Sequence, residues 1–82
     1  MDQSKEEEWM RKFLTLVMVR YQIKLMIEGK EMDFVLFSGI WDEYCSRFND
    51  RLKFNVNDWI TNNRSRYREL EIETISRIRG VK

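Results

Sequence analysis

Not one proline interrupts the 82 residues of this chain, and glycine occurs only at positions 29, 39 and 80. Few positions are therefore pre-set for tight turns or positive φ, which favours long helices over a turn-rich all-β fold. One domain is expected over residues 1–82, with its core in about 5–70 and an extension over 71–82. A domain this small buries a modest fraction of its surface, so Trp9, Trp41 and Trp59, with five Phe and three Tyr, must supply much of the burial.

Cys45 is the single cysteine and histidine is absent. No intramolecular disulfide can form, a structural zinc site has no ligand set, and a reducing compartment is expected. Residues Met1 to Glu8 are polar and acidic, unlike a secretory leader, so an intracellular location is expected. The most apolar stretch, Phe13 to Ile27, contains Arg20, Gln22 and Lys24 and falls short of the about 20 apolar residues that span a bilayer. It reads as core. A net charge of +1 conceals an asymmetry: 7 basic and 10 acidic residues up to Asp50, against 8 basic and 4 acidic from Arg51 onward. Positive charge gathers in the C-terminal third.

Ser4 followed by Glu6, Glu7 and Glu8 reads as a helix start near residue 5, with Ser4 as N-cap and Glu7 at the capping-box position. Beyond it, apolar side chains lie nearly all round the cylinder, so helix one is either wrapped on several sides or not helical throughout. Period-two alternation over Val19–Leu25, with Glu28-Gly29-Lys30 as a turn into Met32–Leu36, leaves a β-hairpin open as an alternative. Asp33 is an expected N-cap for helix two, whose stripe is Phe34, Phe37, Ile40, Trp41, Tyr44, Cys45 and Phe48. Gly39 weakens that helix by about 1 kcal/mol relative to Ala and leaves room for a neighbouring helix. Asn55 or Asn57 can cap a third helix with an inward stripe of Val56, Trp59, Ile60, Asn63, Tyr67 and Leu70. Past Leu70 the apolar positions rotate. Ile72, Ile75 and Ile78 then form a further short helix, an extension packing back on helix one, or a contact for a second chain.

Two segments, Ile40-Trp41-Asp42-Glu43-Tyr44 and Asp58-Trp59-Ile60-Thr61-Asn62-Asn63-Arg64-Ser65-Arg66-Tyr67-Arg68, resemble the second and third helices of Myb/SANT-type domains and their MADF relatives. The acidic opening Glu6-Glu7-Glu8 is similar to the start of family helix one, and the resemblance covers about residues 5 to 70. Trp9 lies inside that acidic start rather than before it, and the Trp9 to Trp41 interval is longer than in the family repeat. The Trp41 to Trp59 spacing is family-like. The resemblance implies an all-α fold: a three-helix, helix-turn-helix bundle with an extended first helix and a C-terminal helical extension. It also implies a nuclear role on double-stranded DNA, read by the third helix, with Trp41 and Trp59 as core residues.

A recognition helix needs an apolar face to anchor it and an opposite face able to bond base edges or phosphates. Opposite Trp59, Ile60 and Tyr67 stand Asn57, Asp58, Thr61, Asn62, Ser65 and Arg68, with Arg64 beside them. Asn suits adenine, Arg suits guanine, and Ser or Thr suits base or phosphate. Thr61, Asn62, Ser65 and Arg68 are the base-facing candidates, while Arg51, Lys53, Arg64 and Arg66 are candidates for phosphate. The same arginines can instead pair with Asp58, Glu69 and Glu71 on the helix surface.

No cofactor, metal or small-molecule substrate is expected, and catalysis is disfavoured. Cys45 has no histidine to activate it, adjacent acids point in different directions on a helix, and no glycine-rich phosphate loop occurs. A second reading is a protein-interaction or homodimerisation module of a chromatin assembly that does not touch DNA. Its basis is the near-neutral charge and the apolar surplus on helix one and at Ile72, Ile75 and Ile78.

Overall fold

The computed structural model describes the backbone of residues 3–80 and the side chains of residues 5–80. Helix α1 (Gln3–Glu28) is unbroken for 26 residues, α2 spans Phe34–Leu52, α3 spans Val56–Asn62 and α4 spans Arg64–Gly80. The described residues form an all-α fold with no strand.

α1 begins at Gln3, so Ser4 is a residue of its first turn rather than one preceding the helix; the capping role of its side chain lies outside the described residues. The Glu7 side of the expected capping box with Ser4 likewise lies outside the described residues; the Glu7 carboxylate accepts from Arg66 Nη2 of α4 at 2.7 Å. The hairpin alternative over 19–36 is overturned. Residues two apart on a helix differ by about 200°, so over a few residues alternation looks alike in helix and strand. Here Leu25 is buried and Tyr21 half-buried, while Val19 and Ile23 face outward. Gly29, at φ 67°, takes the left-handed position that follows a helix. Its N–H donates to the Met26 carbonyl and the Lys30 N–H to the Leu25 carbonyl, a Schellman closure in which glycine avoids a Cβ clash.

Asp33 caps α2 as expected, accepting from the Leu36 N–H at 3.0 Å, while its own N–H donates to Tyr21 Oη at 2.8 Å. Lys53, left-handed at φ 54°, ends α2. Asn55 rather than Asn57 caps α3, accepting from the Asp58 N–H at 3.0 Å.

The expected third helix divides at Asn63, not after Leu70. The Asn63 N–H donates to the Ile60 carbonyl, its Nδ2 donates to the Trp59 carbonyl at 2.9 Å, and its own carbonyl accepts the Tyr67 N–H at 2.8 Å. One residue thus closes α3 and opens α4, because a short amide side chain competes with the backbone for its carbonyls. α4 then continues without interruption through the isoleucines, so the extension is its second half, packed back on α1.

Phe13 packs edge-on against Trp41 (4.8 Å) and Phe48 (5.4 Å), and Tyr21 against Phe37 (5.1 Å), so α1 and α2 run antiparallel. Glu7 meets Arg66 and Arg11 meets Glu73, so α4 runs in the same sense as α1. α3 bridges α2 and α4 at the end that holds the start of α1, where Trp9 touches Phe54 just before α3. Met10, Phe13, Leu14, Val17, Ile40, Phe48, Phe54, Val56, Trp59 and Leu70 form one continuous core.

The molecule measures 41 × 27 × 18 Å. Its long axis is close to the about 39 Å that 26 helical residues span. α1 is flanked by α2 and α4, and its exposed Val19, Ile23 and Met26 lie away from the buried core face. It is therefore neither interrupted nor wrapped, and its outer face meets solvent. Gly39 likewise faces open space, since a Cβ there would meet nothing within 4 Å; no neighbouring helix approaches it.

Candidate nucleic-acid interface

Asn63 turns the expected reading face into an elbow. Thr61 and Asn62 end α3, whereas Arg64, Ser65, Arg66 and Arg68 occupy the first turns of α4. Thr61, Asn62, Arg64, Ser65 and Arg68 are all exposed, on segments anchored by buried Val56, Trp59 and Leu70.

Arg64, Ser65 and Arg68 come together. With Ile60, Tyr67 and Glu71 they line a cleft of about 500 Å³. Among the described residues neither Arg64 nor Arg68 forms an ion pair. The Glu71 carboxylate accepts from the Tyr67 hydroxyl at 3.1 Å, and burial together with that carboxylate pushes the phenol's pKa up. The wall of the cleft is thus held by a neutral Tyr, with two guanidinium groups at its rim. α4 is long enough for its dipole to add positive potential at its first turn, next to these side chains.

Arg66 behaves differently. Its guanidinium donates to Glu7 at 2.7 Å and to Glu69 at 2.9 Å, and these carboxylates raise its pKa, Glu7 most. Glu7 in turn is held below the usual carboxylate range, chiefly by the Arg66 hydrogen bond. Of the surface pairings open to the arginines, Arg66 with Glu69 forms; the remaining bond of Arg66 clamps α4 to α1.

Asn57 also serves the fold. Its Oδ1 accepts from Trp41 Nε1 at 3.3 Å and its Nδ2 lies 4.0 Å from Cys45 Sγ, joining α3 to α2. Burial pushes the Cys45 thiol up to about 11, aided by the charge of Asp42, so little thiolate is present at neutral pH. Thr61 turns its hydroxyl back to the Asn57 carbonyl at 3.0 Å. Lys53 and Asn62 line a separate cleft of about 300 Å³ with Glu6, Asp58 and Trp59.

Arg51 belongs to another face. It lines a cleft between α1 and α2 with Lys12, Tyr44 and Arg47, whose guanidinium lies 5.3 Å above the Tyr44 ring. Lys12 and Arg47 escaped the sequence reading because only antiparallel packing of α1 and α2 joins positions so far apart. Of the three isoleucines, Ile72 and Ile75 are exposed, while Ile78 is half-buried; Ile75 and Ile78 line a cleft with Met18, Tyr21, Leu25 and Phe37.

Among the described residues no group of His, Cys, Asp and Glu is arranged to hold a metal ion, and no helix is long and apolar enough to cross a membrane. Comparison with protein-family models, curated proteins and solved structures finds no match to this chain.

Proposed function

We propose that this chain is a nuclear, non-enzymatic DNA-binding module of Myb/SANT-like type that engages duplex DNA with the α3–α4 elbow. The supporting observation is the contrast among neighbouring arginines. Arg66 is spent on Glu7 and Glu69, whereas Arg64 and Arg68 stand exposed and unpaired among the described residues, beside Ser65. Arg64 and Lys53 meet backbone phosphates, Thr61, Asn62, Ser65 and Arg68 meet base edges, and Arg66 and Asn57 support the elbow from within.

Binding is therefore salt-dependent. Arg64→Ala with Arg68→Ala lowers duplex affinity at least about tenfold, and removes about 0.9 from the slope of log affinity against log salt, the share of the one phosphate contact made by Arg64. Helical circular dichroism stays as in the parent. Equal binding by the double variant, in a titration at two salt concentrations, overturns the assignment.

A second reading, a protein-interaction module of a chromatin assembly, is favoured by exposed Ile72 and Ile75 on α4. Under that reading Ile72→Glu abolishes partner capture and the arginine pair is dispensable.

A further inference from the structure

The core face of α1 carries Met10, Phe13, Leu14, Val17 and Leu25, all buried. About 160° round the same helix lies a second apolar stripe, Leu16, Val19, Ile23 and Met26, in steps of three, four and three residues within an arc of about 80°. This is heptad spacing. Leu16 is 38% exposed, Val19 39%, Ile23 41% and Met26 75%, with Ile27 at 78% on the margin. Helices α2 and α4 cover the core face of α1; of the stripe, Leu16 borders the α1–α2 cleft beside Tyr44 and Arg51, while Val19, Ile23 and Met26 stand exposed beyond it.

We infer that α1 pairs with α1 of a second copy of this chain, forming a two-fold dimer along this stripe. The spacing sets the kind of partner: side chains repeating every 3.5 residues fit between those of another helix as knobs in holes. The area sets the stoichiometry. The five side chains expose on the order of 500 Å² of largely apolar surface, which at the about 65% apolar share of a homodimer interface corresponds to about 800 Å² per copy, the extent of a stable contact. A two-fold axis uses the same stripe twice, so one surplus face is covered by its equal and no open-ended chain grows.

The positions flanking the stripe do not oppose a parallel pairing. Arg20 then faces Thr15 of the other copy and Gln22 faces its Ile27, so no like charges meet beside the seam. Lys12, four residues before Leu16 on the same face, stands opposite Lys12 of the other copy, so like charges meet only there and the apolar seam runs from Leu16 onward. The α3–α4 elbow lies toward the end of the molecule that holds the start of α1, beyond this stripe, so both copies keep their elbows open. The association stands independently of the DNA reading.

Sedimentation equilibrium of the 82-residue chain over about a hundredfold range of concentration tests it. The expected mass rises from one chain to two. Ile23→Glu with Met26→Glu returns it to one chain with unchanged helical circular dichroism, since both residues are exposed in the single chain. Ile72→Glu, on α4, leaves the two-chain mass unaltered. Should the glutamates reduce helicity, Val19→Lys with Ile27→Lys takes their place. A parent chain of one-chain mass at every concentration overturns the proposal, as does a mass above two chains or a helical stripe variant that still forms the two-chain species. Arg64→Ala with Arg68→Ala leaves the mass of the parent, so failure here and failure of DNA binding are told apart.

Discussion

Among the described residues three carboxylates are tuned by the fold, each through a different contact. Glu7 is lowered chiefly by the Arg66 hydrogen bond, Asp33 by the Leu36 backbone N–H and then Lys30, and Glu73 by the Arg11 guanidinium. A carboxyl group whose folded pKa is depressed contributes stability that is present above its unfolded pKa and lost as pH falls through the folded value. With unfolded carboxyl values near about 4, stability is expected to hold level from neutral pH to about 5 and to decline steadily below that. Urea denaturation at a series of pH values measures this, and Glu7→Gln flattens part of the acid limb. Asp33 was legible as a cap because a short acceptor before an apolar stripe has a local use. The destination of Glu7 was not, since its partner lies 59 residues away.

At the scale of elements, each helix end has a local cause: Gly29 closes α1, Asp33 opens α2, Asn55 opens α3 and Asn63 both closes α3 and opens α4. The first three lie in short polar runs that read as boundaries. Asn63 sat at an inward position of an otherwise helical pattern, and nothing in spacing alone reveals that its amide turns back to the Trp59 carbonyl. Gly39 shows the converse. It lies inside α2 facing open space, so its only effect is the loss of helix propensity. Gly39→Ala is expected to raise the unfolding free energy by about 1 kcal/mol, visible as a higher urea midpoint with an unchanged slope. A loss of stability at that position would mean that something covers this face of α2.

For the whole molecule, a thickness of 18 Å decides the energetics. A slab of helices has one shared interior, and Phe13 lies fully buried within it between Trp41 and Phe48. Phe13→Ala is expected to cost about 3–5 kcal/mol, a large part of the about 5–15 kcal/mol that a small domain possesses. Val35→Ala, at an 84% exposed position, is expected to stay within about 0.5 kcal/mol. Thermal unfolding of the two variants beside the parent measures the difference. The same thinness leaves α1 with an apolar outer face, which sequence reading could express only as a surplus of apolar residues round one helix.

The sequence by itself determined the helical class, the cap at Asp33, a cap at Asn55 or Asn57, the burial of Trp59 and the polar, exposed character of Thr61, Asn62, Ser65 and Arg68. These follow from propensity, hydrogen-bonding side chains and periodicity, all of which act within a few residues. Only tertiary structure decided which arginine pairs across the fold, which cations share a cleft and which face of α1 is covered. Those outcomes depend on how whole helices are laid beside one another, and no local spacing encodes the distance between residues 7 and 66 or between residues 12 and 47.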